Sequence, residues 1–103
     1  MIRITVSYPA TPGTRFDHDY YRHQHRQLLL DRLGPLGLQR VEIDKCLADG
    51  AGGTPPVVAA AHMFFTGLPE FQSALAQHGA EIMGDIRNYT DIRPQILISA
   101  VVA

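Results

Sequence analysis

Hydrophobic and polar residues alternate with a period of two at the start of the chain, and further along the hydrophobic residues follow the spacing of a helix. Residues 2–7, Ile-Arg-Ile-Thr-Val-Ser, place an apolar side chain at every second position, which predicts a half-buried strand. The proline- and glycine-containing stretch 9–13 ends that strand. From about Asp17 to Leu33 the apolar positions recur at helical spacing, and Gly34-Pro35 ends the predicted helix. The chain therefore begins with a strand followed by a helix.

Three further strands and one helix are predicted in the rest of the chain. Leu38 to Leu47 and Val57 to Phe65 are predicted strands, separated by a loop rich in glycine and proline. Leu68 to roughly Met83 predicts a second helix, and Gln95 to Val102 predicts the fourth strand. The order βαββαβ is the split βαβ arrangement, a four-stranded sheet with both helices on one face. At 103 residues, the chain is expected to form one domain, 1–103.

The third and fourth predicted strands are apolar on both faces. Residues 57–65 contain a single polar residue, and residues 95–102 place Ile96, Ile98 and Ala100 on one side and Leu97 and Val101 on the other. Strands of this kind are covered on both faces. Since the chain has no spare element for the second face, we expect a second copy to cover it in a homodimer. Phe65 and Leu97 are then both expected to be buried, each on one face or the other.

Charge and composition exclude several classes of partner. Nine Lys and Arg residues balance ten Asp and Glu residues, and neither sign forms a run. Nucleic acid and anionic membranes are therefore not expected as partners, and no apolar run approaches the roughly 20 residues that span a bilayer. A single cysteine, Cys46, and a strand-like N-terminus in place of a signal peptide favour the reducing cytoplasm.

The first predicted helix carries a histidine on its apolar side. Counted at 100° per residue from Tyr21, His18, His25, Leu28 and Leu29 fall on one stripe. His25 is therefore expected to be enclosed, and an enclosed imidazole needs a hydrogen-bond partner. Such a histidine is either a satisfied core residue or an acid/base group in a pocket, because imidazole titrates near neutral pH.

A second histidine, His78, lies on the apolar stripe of the second helix. Both helices share one face of the sheet, so His25 and His78 are expected to point into the layer between helices and sheet. With Tyr21 and Tyr89 they would form a pocket suited to acid/base work on an uncharged small molecule. The alternative is a hydrogen-bonded packing cluster, with His78 exposed to solvent if the helix breaks at Gly79.

The remaining histidines show no metal-binding pattern. His23 and His25 are two residues apart and point in opposite directions on a helix. Cys46 has no neighbouring ligand, so neither a metal nor another cofactor is predicted. His62 lies mid-strand, and the pattern leaves open whether it faces the pocket as a substrate-binding residue or lies at the dimer interface.

Two carboxylates, Asp85 and Asp91, flank the segment Asn88-Tyr89-Thr90 near the end of the second helix. Aspartate is common in turns because its side chain accepts hydrogen bonds from nearby backbone N–H groups. We therefore interpret both as turn and cap residues ahead of the last strand.

Four segments in this order resemble the EthD family, named for ethyl tert-butyl ether degradation. They are Phe16-Asp17-x-x-Tyr20-Tyr21-x-x-x-His25-x-x-Leu28, Gly34-Pro35-Leu36-Gly37-Leu38, Ala76-x-His78-Gly79-Ala80-Glu81, and Asp85-Ile86-x-Asn88-Tyr89-Thr90-Asp91-Ile92-x-Pro94. The resemblance implies an α+β, ferredoxin-like domain that dimerises into an α+β barrel. Family members accompany oxidative degradation pathways, and some relatives act in polyketide or lactone metabolism. Some dimeric α+β barrels also bind haem through one histidine, which is the alternative to a cofactor-free site.

Three functions are compatible with these residues. The first is a small cofactor-independent enzyme of a catabolic or secondary-metabolic pathway that catalyses isomerisation or dehydration, with His25 and His78 as catalytic groups. The second is a carrier or accessory protein that holds a small hydrophobic compound for a partner oxygenase. The third is a cofactor-independent monooxygenase. Paired histidines and tyrosines exceed what a carrier requires, so the sequence favours the enzyme.

Overall fold

Four antiparallel strands form one sheet in the computed structural model, which describes residues 1–103. They are β1 (Ile2–Pro9), β2 (Leu38–Lys45), β3 (Val57–Phe65) and β4 (Gln95–Ala100), in the spatial order β2-β3-β1-β4. The predicted strands are confirmed, although β2 and β4 each end two residues early. Beyond Lys45 the chain enters a loop that the Asp49 carboxylate closes, because it accepts hydrogen bonds from two backbone N–H groups. β4 ends where its neighbour β1 begins, with one further backbone hydrogen bond from the Val101 N–H to the Met1 carbonyl.

Both helices cover the same face of this sheet. The first, α1, spans residues 18–33 in three consecutive segments: His18–Tyr20, a π-helical turn at Tyr21–His25, and Arg26–Leu33. The second, α2, is Leu68–Asp85, and a 3₁₀ turn follows each helix. The βαββαβ order and the antiparallel sheet make this a ferredoxin-like fold, as predicted. No helix in the structure has the length and apolar character that crossing a membrane requires.

The core between helices and sheet has an aliphatic part and an aromatic part. In the aliphatic part Phe65 is fully buried and meets Phe71 edge-on, with ring centroids 5.5 Å apart. The aromatic part surrounds three buried tyrosines, Tyr8, Tyr21 and Tyr89, and lies at the other end of the sheet. Phe65 is therefore buried on the helix-covered face, as predicted.

The second face of the sheet has no helix over it, and its side chains are mixed in character. Val58, Ala60 and Phe64 give β3 an apolar strip here, and the Arg40 guanidinium lies 4.1 Å from the centre of the Phe64 ring. Leu97 on β4 is 64% exposed. No element of the same chain reaches this face, so the expected burial of Leu97 depends on a second copy and stays a prediction.

Phe65 and Leu47 offer a test of where the core lies. Replacing Phe65 by alanine should lower the free energy of unfolding by about 3 to 5 kcal/mol, since the lost ring leaves a cavity in a fully buried site. Leu47→Ala, at a position 85% exposed, should change it by less than about 0.5 kcal/mol. Urea unfolding of both variants measures the difference. Equal losses would contradict this description of the core.

Candidate functional site

A cavity of about 160 Å³ lies between the two helices and the sheet. Leu75 and Met83 on α2 and Ile96 and Ile98 on β4 line it and are each about half exposed, so the cavity opens between these two elements. His25 is the one non-hydrophobic residue among the sixteen that line it. The other eleven are Ile4, Val6, Tyr8, Tyr21, Leu29, Leu33, Ala61, Met63, Phe71, Ile82 and Ile86.

The π-helical turn determines what His25 can reach. In this turn the Arg26 N–H donates to the carbonyl of Tyr21, five residues earlier. Hydrogen bonds that span five residues bring side chains five positions apart to the same side of the helix, whereas in an α-helix such side chains point in different directions. Tyr20 and His25 therefore both face Asp85, the last residue of α2.

Asp85 collects three hydrogen bonds, and one of them fixes the His25 ring. His25 Nδ1 donates to Asp85 Oδ2 at 2.8 Å, and the His25 residue is only 4% exposed. The other carboxylate oxygen, Oδ1, accepts from the Tyr20 hydroxyl at 2.6 Å and from Asn88 Nδ2 at 2.8 Å. Because Nδ1 carries the proton shared with the carboxylate, Nε2 is the nitrogen with a free lone pair.

The pKa values of His25 and Asp85 favour the same arrangement, in which the imidazole is neutral and the carboxylate is ionised. Burial lowers the pKa of His25 below its ordinary value and outweighs the opposing effect of the nearby Asp85 carboxylate. Burial alone would raise the pKa of Asp85, but the hydrogen bonds from Tyr20, His25 and Asn88 bring that pKa below its usual range. At neutral pH the site therefore holds a neutral imidazole beside an ionised carboxylate, the arrangement of a positioned general base.

Two tyrosines, Tyr21 and Tyr89, contact the His25 ring, and a third, Tyr8, contacts both of them. The Tyr8 and Tyr89 hydroxyls are hydrogen-bonded to each other, and the Tyr89 hydroxyl lies 3.5 Å from His25 Nε2. The Tyr21 ring stacks on the His25 ring, with centroids 5.5 Å apart and planes 16° from parallel. Burial raises the pKa of all three tyrosines, so each stays protonated at neutral pH.

The structure brings three of the five sequence-predicted site residues together. His25 and Tyr21 line the cavity, whereas Tyr89 contacts His25 from behind the wall and does not line it. His78 is not part of this group, which corrects the expectation that it points into the pocket. It lies on the side of α2 nearer α1, with Nδ1 3.9 Å from Glu81, which pairs with Arg32 of α1.

His62 faces away from the cavity, on the sheet face without helices. Its neighbours Ala61 and Met63 line the cavity, and alternate residues of a strand point to opposite faces. His62 Nε2 instead contacts Asp44 Oδ2 at 2.8 Å, and Nδ1 lies 3.3 Å from the Thr5 hydroxyl. A substrate-binding role for His62 in this cavity is therefore wrong.

The sequence analysis did not predict four residues of this site, which are Asp85, Tyr8, Tyr20 and Asn88. The interpretation of Asp85 as a turn residue is corrected, since its carboxylate binds side chains of both helical regions. The sequence did contain an indication that Asp85 faces inward. Asp85 follows His78 by seven residues, which is two helical turns, and so continues the apolar stripe of α2. Asp91 does have a structural role, and it accepts a hydrogen bond from the backbone N–H of Arg15.

No group of three or more potential metal-ligating side chains is assembled anywhere in the chain.

Comparison with known proteins identifies the family. No protein-family model matches the chain, and no protein of curated function does. Among solved structures, the chain is 43% identical to an EthD-like protein from Ralstonia eutropha JMP134, with a TM-score of 0.92. That match covers 99% of this chain and 92% of the other. The chain belongs to the EthD-like family.

More distant structures share the EthD-like fold. An ethyl tert-butyl ether degradation (EthD) family protein from Bacillus halodurans C-125 is 14% identical, with a TM-score of 0.75 and 99% of both chains covered. A hydroxynitrile lyase from Passiflora edulis is 10% identical, with a TM-score of 0.70 and 98% and 93% of the two chains covered. These likenesses show the fold alone. The resemblance to EthD proteins seen in the four sequence segments is confirmed.

The lowered pKa of His25 predicts how stability depends on pH. Below the ordinary histidine pKa of about 6.5 the unfolded chain binds a proton that the folded chain does not, so stability should fall as the pH drops below about 6.5. His25→Asn, which keeps an N–H near the Nδ1 position, should flatten this slope between about pH 6.5 and 5. Urea unfolding at several pH values measures the slope, and His78→Asn is the matched control. A slope unchanged in His25→Asn would contradict the assignment.

Proposed function

We propose that this EthD-like protein binds a small, uncharged hydrophobic compound in the cavity and moves a proton on it through His25, in an isomerisation or dehydration that needs no cofactor. One observation carries the proposal: His25 lies in an otherwise hydrophobic wall, and its Nδ1 is held by Asp85 at 2.8 Å. An imidazole fixed in this way keeps one basic nitrogen, Nε2, whose nearest polar contact in the chain is the Tyr89 hydroxyl at 3.5 Å.

The surroundings of His25 favour a base over a nucleophile or an ion-pairing group. No lysine or arginine lines the cavity, so nothing there would balance a carboxylate or phosphate on the ligand. The imidazole is neutral and thus ready to accept a proton at physiological pH. When His25 becomes an imidazolium during the reaction, the adjacent Asp85 carboxylate stabilises its charge.

We place this reaction in a catabolic or secondary-metabolic pathway of the cytoplasm. The single cysteine, Cys46, is free, which suits a reducing compartment. The relative from Bacillus halodurans is named for ethyl tert-butyl ether degradation, and a lyase from Passiflora edulis has the same fold. A pathway that degrades or tailors small apolar molecules fits both the names and the cavity.

A carrier or accessory protein for a partner oxygenase is the second candidate. The observation that favours it is the wall itself, in which fifteen of sixteen residues are hydrophobic. Such a surface holds an apolar compound without any chemistry. The two functions differ in whether the bound compound exchanges protons with His25.

Hydrogen exchange on a simple ketone separates the two candidates. In D₂O, the protein should accelerate loss of the α-proton NMR signal of cyclohexanone, because a positioned base removes those protons. His25→Ala should reduce that acceleration by about 100-fold or more. The wild-type rate should rise with pH through a value below about 6.5 and then level off, as the His25 imidazole becomes neutral.

His78→Ala is the control, since His78 lies outside the cavity and should leave the exchange rate unchanged. Binding of cyclohexanone, followed by its NMR line widths, should persist in both variants. If wild-type protein binds the ketone without accelerating exchange, the enzymatic proposal is wrong and the carrier is favoured. A His78→Ala variant as inactive as His25→Ala would also contradict the assignment.

We further propose that two copies of the chain pair through the sheet face without helices. Leu97 is 64% exposed there, and it lies on the same face as the apolar strip of Val58, Ala60 and Phe64. Ala60 and Phe64 are already buried within the chain, so the apolar surface that a second copy would remove from water belongs to Leu97 and the half-buried Val58. The same pairing would also enclose the His62 and Asp44 pair.

Sedimentation of Leu97→Asp tests this pairing. The wild type should sediment as a dimer at micromolar concentration, and Leu97→Asp should sediment as a monomer or aggregate, because a carboxylate would have to be buried without a partner. Leu47→Asp, at an exposed loop position, should remain dimeric. A monomeric wild type would refute the pairing.

A further inference from the structure

Tyr21 carries a buried hydroxyl that no protein atom meets with hydrogen-bond geometry, although the Tyr8 hydroxyl lies beside it. The residue is 1% exposed, and its hydroxyl is the one buried side-chain polar atom in the chain without a hydrogen-bond partner. Native proteins pair nearly all such groups, because an unpaired buried donor loses its hydrogen bonds to water without replacement. Since the Tyr21 side chain also lines the cavity, a ligand is the partner to consider.

We propose that the Tyr21 hydroxyl donates a hydrogen bond to an oxygen of the ligand, which makes the cavity a site for small uncharged carbonyl compounds. This inference rests on the proposed function, because it assumes that the cavity is the ligand site. It adds the chemical class of the ligand and a second residue that contacts it.

The other polar groups of the cavity wall already have partners. The Tyr8 hydroxyl is bonded to Tyr89, and His25 Nδ1 is bonded to Asp85. This leaves the Tyr21 hydroxyl and His25 Nε2, the latter with only a 3.5 Å contact to Tyr89. Burial raises the pKa of Tyr21, so its hydroxyl keeps its proton and is available as a donor.

A donor and a base at fixed separation match the two reacting ends of a carbonyl compound. The Tyr21 and His25 rings are stacked at 5.5 Å and lie four residues apart within the π-helical turn, which fixes one against the other. An α-carbon gives its proton to His25 Nε2, the electron pair of that C–H bond forms a C=C bond to the carbonyl carbon, and the π pair of the C=O bond moves onto the oxygen. Tyr21 stabilises the resulting enolate by its hydrogen bond. Return of the proton from His25 to the oxygen or to another carbon completes an isomerisation without oxidant or reductant.

Two probe ligands of the same shape test the hydrogen bond. Cyclohexanone has a carbonyl oxygen where methylenecyclohexane has a CH₂ group, so only the ketone can accept from Tyr21. Tyr21→Phe should weaken cyclohexanone binding by about three- to tenfold, the range for one hydrogen bond between uncharged groups. Binding of methylenecyclohexane should not change. Calorimetry or NMR titration measures both dissociation constants.

Thermal unfolding without ligand supplies an independent readout. Tyr21→Phe removes a hydroxyl that has no partner, so its melting temperature should equal or exceed that of the wild type. Tyr8→Phe is the matched control at the same kind of site, and it should melt earlier because it leaves the buried Tyr89 hydroxyl without its partner. A Tyr21→Phe variant that melts as early as Tyr8→Phe would overturn the inference, since its hydroxyl would then have a protein partner.

The binding results also separate this inference from the proposed function. If wild-type protein binds neither probe, the cavity is not the ligand site and both proposals fail. If it binds both probes and Tyr21→Phe changes their affinities equally, the ligand site stands and the role of Tyr21 is wrong. Selective loss of the ketone supports both.

Discussion

The hydrogen bond between His25 Nδ1 and Asp85 Oδ2 connects the middle of α1 to the last residue of α2. Around it, Tyr20 from α1 and Asn88 from the 3₁₀ turn after α2 bind the other carboxylate oxygen. Because both partners are largely removed from water, each is costly to bury without the other. This contact therefore joins the two helices at one end of the cavity, and it sets the tautomer of the imidazole and the charges of the pair.

The same contact explains why a mostly apolar cavity can hold an imidazole in its wall. A lone imidazole in this wall would have no fixed orientation and no defined proton. Asp85 provides both, and it stays ionised because three donors satisfy it. The Tyr89 hydroxyl lies near Nε2 and is bonded to the Tyr8 hydroxyl, so these polar atoms are grouped beside His25 at one end of a hydrophobic space.

Periodicity was enough to predict the four strands, both helices and their order, since each element has one consistent pattern of apolar positions. Within the site it succeeded where the pattern was regular: His25 and Tyr21 were found because they lie on the buried side of α1. It failed for His78, whose angular position on α2 did not distinguish the side facing α1 from the side facing the cavity. It also failed for Asp85, because a carboxylate at the end of a helix has a common structural explanation, and its partner Tyr20 becomes a neighbour of His25 only through the π-helical turn.

The π-helical turn has a consequence for how sequences of this family can diverge in evolution. Such a turn holds one residue more than an α-helical turn, so the loss of one codon between positions 21 and 25 would leave an uninterrupted α-helix. The sheet, α2 and the aliphatic core would be unaffected, yet the residues before the deletion would rotate relative to His25, and Tyr20 would no longer meet Asp85. Relatives can thus retain the architecture and lose the contact between Tyr20 and Asp85 through one small deletion. Overall likeness of structure is for that reason a weaker guide to a shared arrangement of these side chains than the length of this one helix.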